Sequence, residues 1–167
     1  MASKLIITSI ENLQTKVNEI IKSHKDKLGI YVCLNKTQKS IENIFSKESI
    51  NTSKLFFIDC VTSERAREDV IYVSPDNLDK LKSAIFSAIR DIQGDKFLII
   101  DALSTFLIYN NKEKVSEFIK EIIEYATQNN VKVIALSPET KGEELLEKIK
   151  DFFGKMEKNK ESKTIYS

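Results

Sequence analysis

Four short apolar runs constrain the fold of this chain more than any other feature: GIYVCL (29–34), KLFFIDCV (54–61), KFLIID (96–101) and VKVIAL (131–136). Each is rich in β-branched residues or Phe, and none alternates apolar with polar. A strand with one wet face would alternate, so these predict strands covered on both sides, as in a parallel sheet. A shorter run, VIYV (70–73), is a candidate fifth strand.

The segments between the runs have helical period. Leu78, Leu81, Ile85, Ile89 and Ile92 form one stripe, and Val115, Phe118, Ile119, Ile122, Ile123 and Ala126 form another. A third comprises Leu145, Leu146, Ile149, Phe152 and Phe153. Ser74 before Pro75 is a candidate start of the first, and Thr140 with Glu143 a candidate capping box for the third. Gly94 and Asn129–Asn130 mark the ends of the first two. Ile10, Leu13, Val17, Ile20 and Ile21 predict an N-terminal helix over about 9–25, with Thr8 and Glu11 as its cap. Strands alternating with helices specify the α/β class: a three-layer α/β/α sandwich around a mainly parallel sheet. Residues 1–167 read as one domain. The charged tail from 154 ends either in a short strand at 164–166 or without structure.

Charge narrows the function classes. With 26 basic and 25 acidic side chains, the formal charge is +1, so no overall field favours nucleic acid or an anionic membrane, and no basic aromatic stripe supplies one locally. The sequence has neither a membrane-length apolar segment nor a signal-peptide pattern, and a cytoplasmic location is expected. Cys33 and Cys60 lie within apolar runs and read as reduced core residues. The only histidine, His24, reads as a solvated side chain in SHKDK. No zinc site, Cys-His pair or Ser-His pair can be assembled from neighbouring residues.

In parallel sheets, ligands bind beyond the carboxyl ends of the strands. Asp101 ends KFLIID there, followed by Ser104 and Thr105; Asp59 ends the second run, with Glu64 a few residues on. Two strand-end carboxylates could bind a cation or share a proton, but the favoured reading is that they cap loops by accepting backbone N–H bonds. Asp59, Glu64 and Asp101 are the catalytic candidates, and Asp101 the candidate metal ligand.

The stretch KFLIIDALSTFLIYNN, with GIYVCL, KLFFIDCV and VKVIALSPE in that order, resembles the core of the RecA/KaiC-like ATPases over about residues 28–140. It is most similar to short archaeal-type KaiC-like domains. The resemblance implies that Lys39 and Ser40 stand where that family has the Lys and Ser or Thr of its phosphate loop. Counting back, the two glycine positions fall on Cys33 and Gln38. A phosphate cradle needs backbone that turns its N–H groups inward and lets an anion approach, which is why it uses glycine. The resemblance therefore implies a degenerate loop with Lys39 and Ser40 as vestigial phosphate-site residues, and no cofactor is expected. It further implies a strand order that separates Cys33 from Cys60 by three strands, roughly 14 Å at the usual spacing. The expected function is a non-catalytic module acting in regulation or signalling through a protein partner or a second copy of itself. The alternative is an atypical ATPase using Lys39, Ser40 and Asp101 with ATP and magnesium.

Overall fold

The computed structural model describes residues 3–63, 67–139 and 141–158. Among these residues, seven strands form a single sheet in which every pairing is parallel: β1 (Lys4–Thr8), β2 (Leu28–Cys33), β3 (Leu55–Asp59), β4 (Ile71–Tyr72), β5 (Lys96–Ile100), β6 (Lys132–Pro138) and β7 (Lys155–Lys158). The helices are α1 (Ile10–Ser23), α2 (Gln38–Lys47), α3 (Leu78–Asp91), the single turn α4 (Phe106–Tyr109), α5 (Lys112–Gln128) and α6 (Glu143–Ile149). Across the sheet the order is β4-β3-β2-β5-β6-β1-β7.

The apolar runs form strands because both faces of the sheet are covered. Along β2, Ile30 and Val32 join α3, α5 and α6 in one core, while Tyr31 and Cys33 join α1 and α2 in the other. The helical stripes supply the opposing surfaces: Leu81, Ile85 and Ile89 from α3 and Val115, Ile119 and Ile122 from α5 on one side, Leu13, Val17, Ile41 and Phe45 on the other. This is the three-layer α/β/α sandwich that the sequence predicts.

One strand was not anticipated. KLIIT pairs with both β6 and β7 and takes the place between VKVIAL and the C-terminal edge that the resemblance gave to GIYVCL. Residues 28–33 lie instead between β3 and β5. Cys33 and Cys60 are consequently on adjacent strands, not three apart: the Cys60 N–H donates to the Cys33 carbonyl at 2.9 Å. Side chains alternate along a strand, so Cys33 faces one core and Cys60 the other; both are buried and free.

Local signals shift in the same way. Ser9, not Thr8, caps α1, accepting from the Asn12 N–H at 3.3 Å, because Thr8 is the last residue of β1. Asn77 caps α3, three residues beyond Ser74. Helix α6 begins after Gly142, held at φ +74°, without a side-chain cap; Thr140 lies outside the described residues, as does 164–166. The charged tail supplies β7 at its start, where Glu157 bridges Lys4 at 2.8 Å and Lys16 at 2.7 Å. His24 is half-buried at the end of α1, its ring centroid 4.7 Å from that of Phe97, rather than solvated.

Candidate carboxylate-tied crevice at the sheet rim

Strands β2 and β5 are neighbours, yet the chain leaves β2 toward α2 in one layer and leaves β5 toward α5 in the other. Folds of this class place ligands at such a divergence, at the carboxyl ends of the two strands. Asp101, the residue after β5, lies at this point and is 2% exposed. One carboxylate oxygen accepts from the N–H groups of Leu34 and Asn35, at 2.7 and 3.1 Å; the other accepts from the Tyr31 hydroxyl at 3.1 Å.

Asp59, equally buried, binds the far side of the same connection. Its Oδ2 accepts from the Gln38 N–H at 3.0 Å and from the Thr62 hydroxyl at 2.6 Å, while Oδ1 accepts from the N–H groups of Val61 and Thr62. The two carboxylates thus fasten the start and the end of the 34–38 connection and close the turn after β3. Orphan amides at a strand end and at a helix start are satisfied by acceptors from neighbouring strands.

Burial pushes the Asp101 carboxyl up to about 6, against the downward pull of the three hydrogen bonds it receives and of Lys36. Burial, reinforced by the nearby Asp101, also drives Tyr31 well above the ordinary tyrosine range. Both thiols are raised by burial, with the Asp59 and Asp101 charges adding to the effect, so neither has thiolate character. Lys36 is held to one side, its Nζ donating to Gln14 at 3.2 Å.

Lys39 and Ser40 are exposed on the first turn of α2, and the Ser40 N–H is used by the Thr37 cap at 3.1 Å. Gln38 is buried, with its backbone N–H given to Asp59. Glu64 lies outside the described residues. At the junction that takes the place of the first strand in the expected order, Thr8 ends β1, Ser9 is the cap and Ile10 already belongs to α1. A loop of inward-turned amides has no residues there to form it. Each Asp101 carboxylate oxygen receives at least one donor from the described residues. No cluster of three or more His, Cys, Asp or Glu side chains able to hold a metal occurs among them.

Tyr31 and Thr62 complete this network without having been anticipated. Thr62 had a usable signal, since Asp59 followed three residues later by Thr is a pattern for a side-chain-closed turn. Tyr31 had none, because its partner lies 70 residues away.

Large apolar side chains stand exposed in the segments that leave this rim: Ile10 after β1, Val61 after β3, and Ile108 and Tyr109 on α4 after β5. Beside α4, a wide depression of about 670 Å³ lies between Leu107, Asn110 and Lys112 on one side and Gly142 to Leu145 on the other. Lys112 and Glu144 form an ion pair across it.

The fold is that of KaiC-like proteins. A crystal structure of a KaiC-like protein from the hyperthermophilic archaeon Pyrococcus horikoshii is similar over 98% of this chain and 74% of its own, with a TM-score of 0.64 and 13% identity. An uncharacterized P. horikoshii protein, solved in complex with an unknown peptide, is similar over 96% of this chain and 78% of its own, with a TM-score of 0.72 and 12% identity. A further P. horikoshii structure has a TM-score of 0.66 at 10% identity, over 96% of this chain and 83% of its own. No curated protein matches the sequence. The model of one family of unknown function, DUF7090, matches residues 7–167, and the chain belongs to that family.

Proposed function

We propose that this chain is a non-catalytic module of RecA/KaiC-like fold that acts in regulation or signalling by binding protein, either a partner or a second copy of itself. The exposed apolar rim carries the reading. Ile108 is 73% exposed, Ile10 57%, Tyr109 54% and Val61 40%, and all four lie at the end of the sheet where folds of this class place ligands. The neighbour solved with a peptide supports protein binding as a use of this fold. Among the described residues no helix is long and apolar enough to cross a membrane.

Loss of ordinary ATP binding belongs to the same proposal. It is supported by the direct passage from β1 into α1, by the amides that occupy Asp101, and by the outward position of Lys39 and Ser40. Light scattering over a concentration series, paired with calorimetric titration of ATP and magnesium, tests both parts. We expect concentration-dependent association that Ile108→Asp weakens, with no nucleotide binding below millimolar. Micromolar binding of magnesium-ATP that Lys39→Ala abolishes would overturn the reading.

A further inference from the structure

The opposite end of the sheet holds a cavity that the rim plays no part in. It has a volume of about 440 Å³ and lies between the C-terminal ends of α1 and α2, over the amino ends of β2, β3 and β5. That volume is in the range of small-ligand pockets. Its floor is apolar, made by Ile21, Ile50, Leu55 and Phe97, and the His24 imidazole lies tilted against the Phe97 ring.

Gly29 shapes this floor. A Cβ there would stand 2.7 Å from both the Leu55 side chain and the Phe97 ring, so the absence of a side chain on β2 lets these two settle onto the strand and leaves the space above them open. Ser49, at φ +56°, turns the chain out of α2 at the cavity wall.

The rim is of one charge. Lys22, Lys25, Lys27 and Lys54 line the cavity and no Asp or Glu does, although the chain as a whole is balanced at 26 to 25. Among the described residues none of the four is in an ion pair. At the two helix ends, the Ile20 and Ile21 carbonyls accept from the His24 N–H and the Ile44 and Phe45 carbonyls from the Glu48 N–H, and the four full lysine charges outweigh the partial negative charge that remains there. Burial lowers the His24 pKa, and Lys132 and Lys27 act in the same direction, so the ring meets a ligand as neutral imidazole.

We infer that this cavity binds a small organic acid with a flat apolar body, the ring against Phe97 and His24 and the carboxylate among the lysines. Apolar area supplies the affinity and the one-signed rim selects the anion.

Titration of the full chain with 2-naphthoate and, separately, with its uncharged analogue 2-naphthamide, followed by amide NMR, tests the inference. Expected are saturable shifts of amides in 21–27, 49–55 and 97, with the amide analogue bound about tenfold more weakly. Lys22→Gln combined with Lys54→Gln, both exposed and harmless to the fold, is expected to weaken naphthoate about tenfold and leave naphthamide unchanged. Gly29→Ala pushes Leu55 and Phe97 into the space and is expected to weaken both compounds, with spectral dispersion reporting that the fold is kept. Absence of saturable shifts at these amides, equal affinity for acid and amide, or naphthoate affinity unmoved by the double lysine variant would each overturn it.

Discussion

The Tyr31 hydroxyl donates to Asp101 at 3.1 Å although both groups are almost wholly withdrawn from solvent. This one bond joins β2 to the residue after β5 at the point where the chain parts into the two helical layers. Tyr31 in turn packs against the rings of Phe45 and Phe57, which fixes the direction of its hydroxyl. Tyr31→Phe keeps that packing and removes only the donor. It should cost about 1.5–3 kcal/mol at pH 8, where the carboxylate is charged, and about 1 kcal/mol near pH 5, where it is largely protonated. Urea unfolding at the two pH values measures the difference, and an equal loss at both would show that the bond does not serve the charged form.

Asp101 also contributes a pH dependence of defined sign. Its folded value of about 6 lies above the ordinary 3.8, so the folded state retains a proton that the unfolded state has released between those limits. Stability from this group therefore falls as pH rises from about 4 to about 6 and is flat above, by an amount on the order of 3 kcal/mol. Asp101→Asn should abolish that part of the slope. Unfolding midpoints of the two proteins between pH 4 and 8 provide the measurement.

Asp59 satisfies three backbone N–H groups and one hydroxyl. Asp59→Ala leaves these donors without an acceptor in a site that admits little water, and should destabilise the protein by about 3–5 kcal/mol. Thr62→Val removes one donor and should cost about 1 kcal/mol. Hydrogen exchange resolves the mechanism: the Gln38, Val61 and Thr62 amides should lose protection in Asp59→Ala before the centres of the strands do.

Thr8 and Ser9 are neighbours with opposite expectations. The Thr8 hydroxyl is fully buried and finds no partner among the described residues, so Thr8→Val should be neutral or stabilising by up to about 1 kcal/mol. Ser9 is equally buried but caps α1, and Ser9→Ala should cost about 1 kcal/mol. Thermal unfolding of the pair separates the two roles.

The thiols should be silent in the native protein. Cys33 and Cys60 face opposite cores and are raised in pKa by burial, so a disulfide reagent should label neither until denaturant is added, and mild oxidation should not join them. Labelling of native protein at a rate comparable to a free thiol would contradict this packing.

The layered fold was legible because buried parallel strands leave a continuous apolar signature, and β2, β3, β5 and β6 all carry it. Strand β1 was not, since LIIT runs straight into an amphipathic helix and its residues read equally well as that helix's approach. This single omission displaced the strand order and with it the inferred distance between the cysteines. Strand β7 was hidden for another reason: KMEK is a polar edge segment that pairs on one side only among the described strands, and its ladder with β1, supported by Glu157 meeting Lys4 on β1 and Lys16 on α1, joins residues about 150 positions apart that no local pattern connects. At the rim, Asp59 and Asp101 were visible as strand-end carboxylates. What they hold was not, because the Leu34 amide and Asp101 are 67 residues apart and meet only once β2 and β5 pair.

The place of β1 sets an order of assembly. It is the earliest strand in the chain but lies between β6 and β7, with Lys4 beside Ile134 on one side and Lys155 on the other. During synthesis β2 to β5, with their helices, can pair as they emerge, whereas β1 has no partner until more than a hundred further residues have been made. Its apolar side chains must wait through that interval, exposed or shielded by a chaperone. Among the described strands, the sheet is completed only when segments far apart in sequence, β1 with β6 and β7, come together.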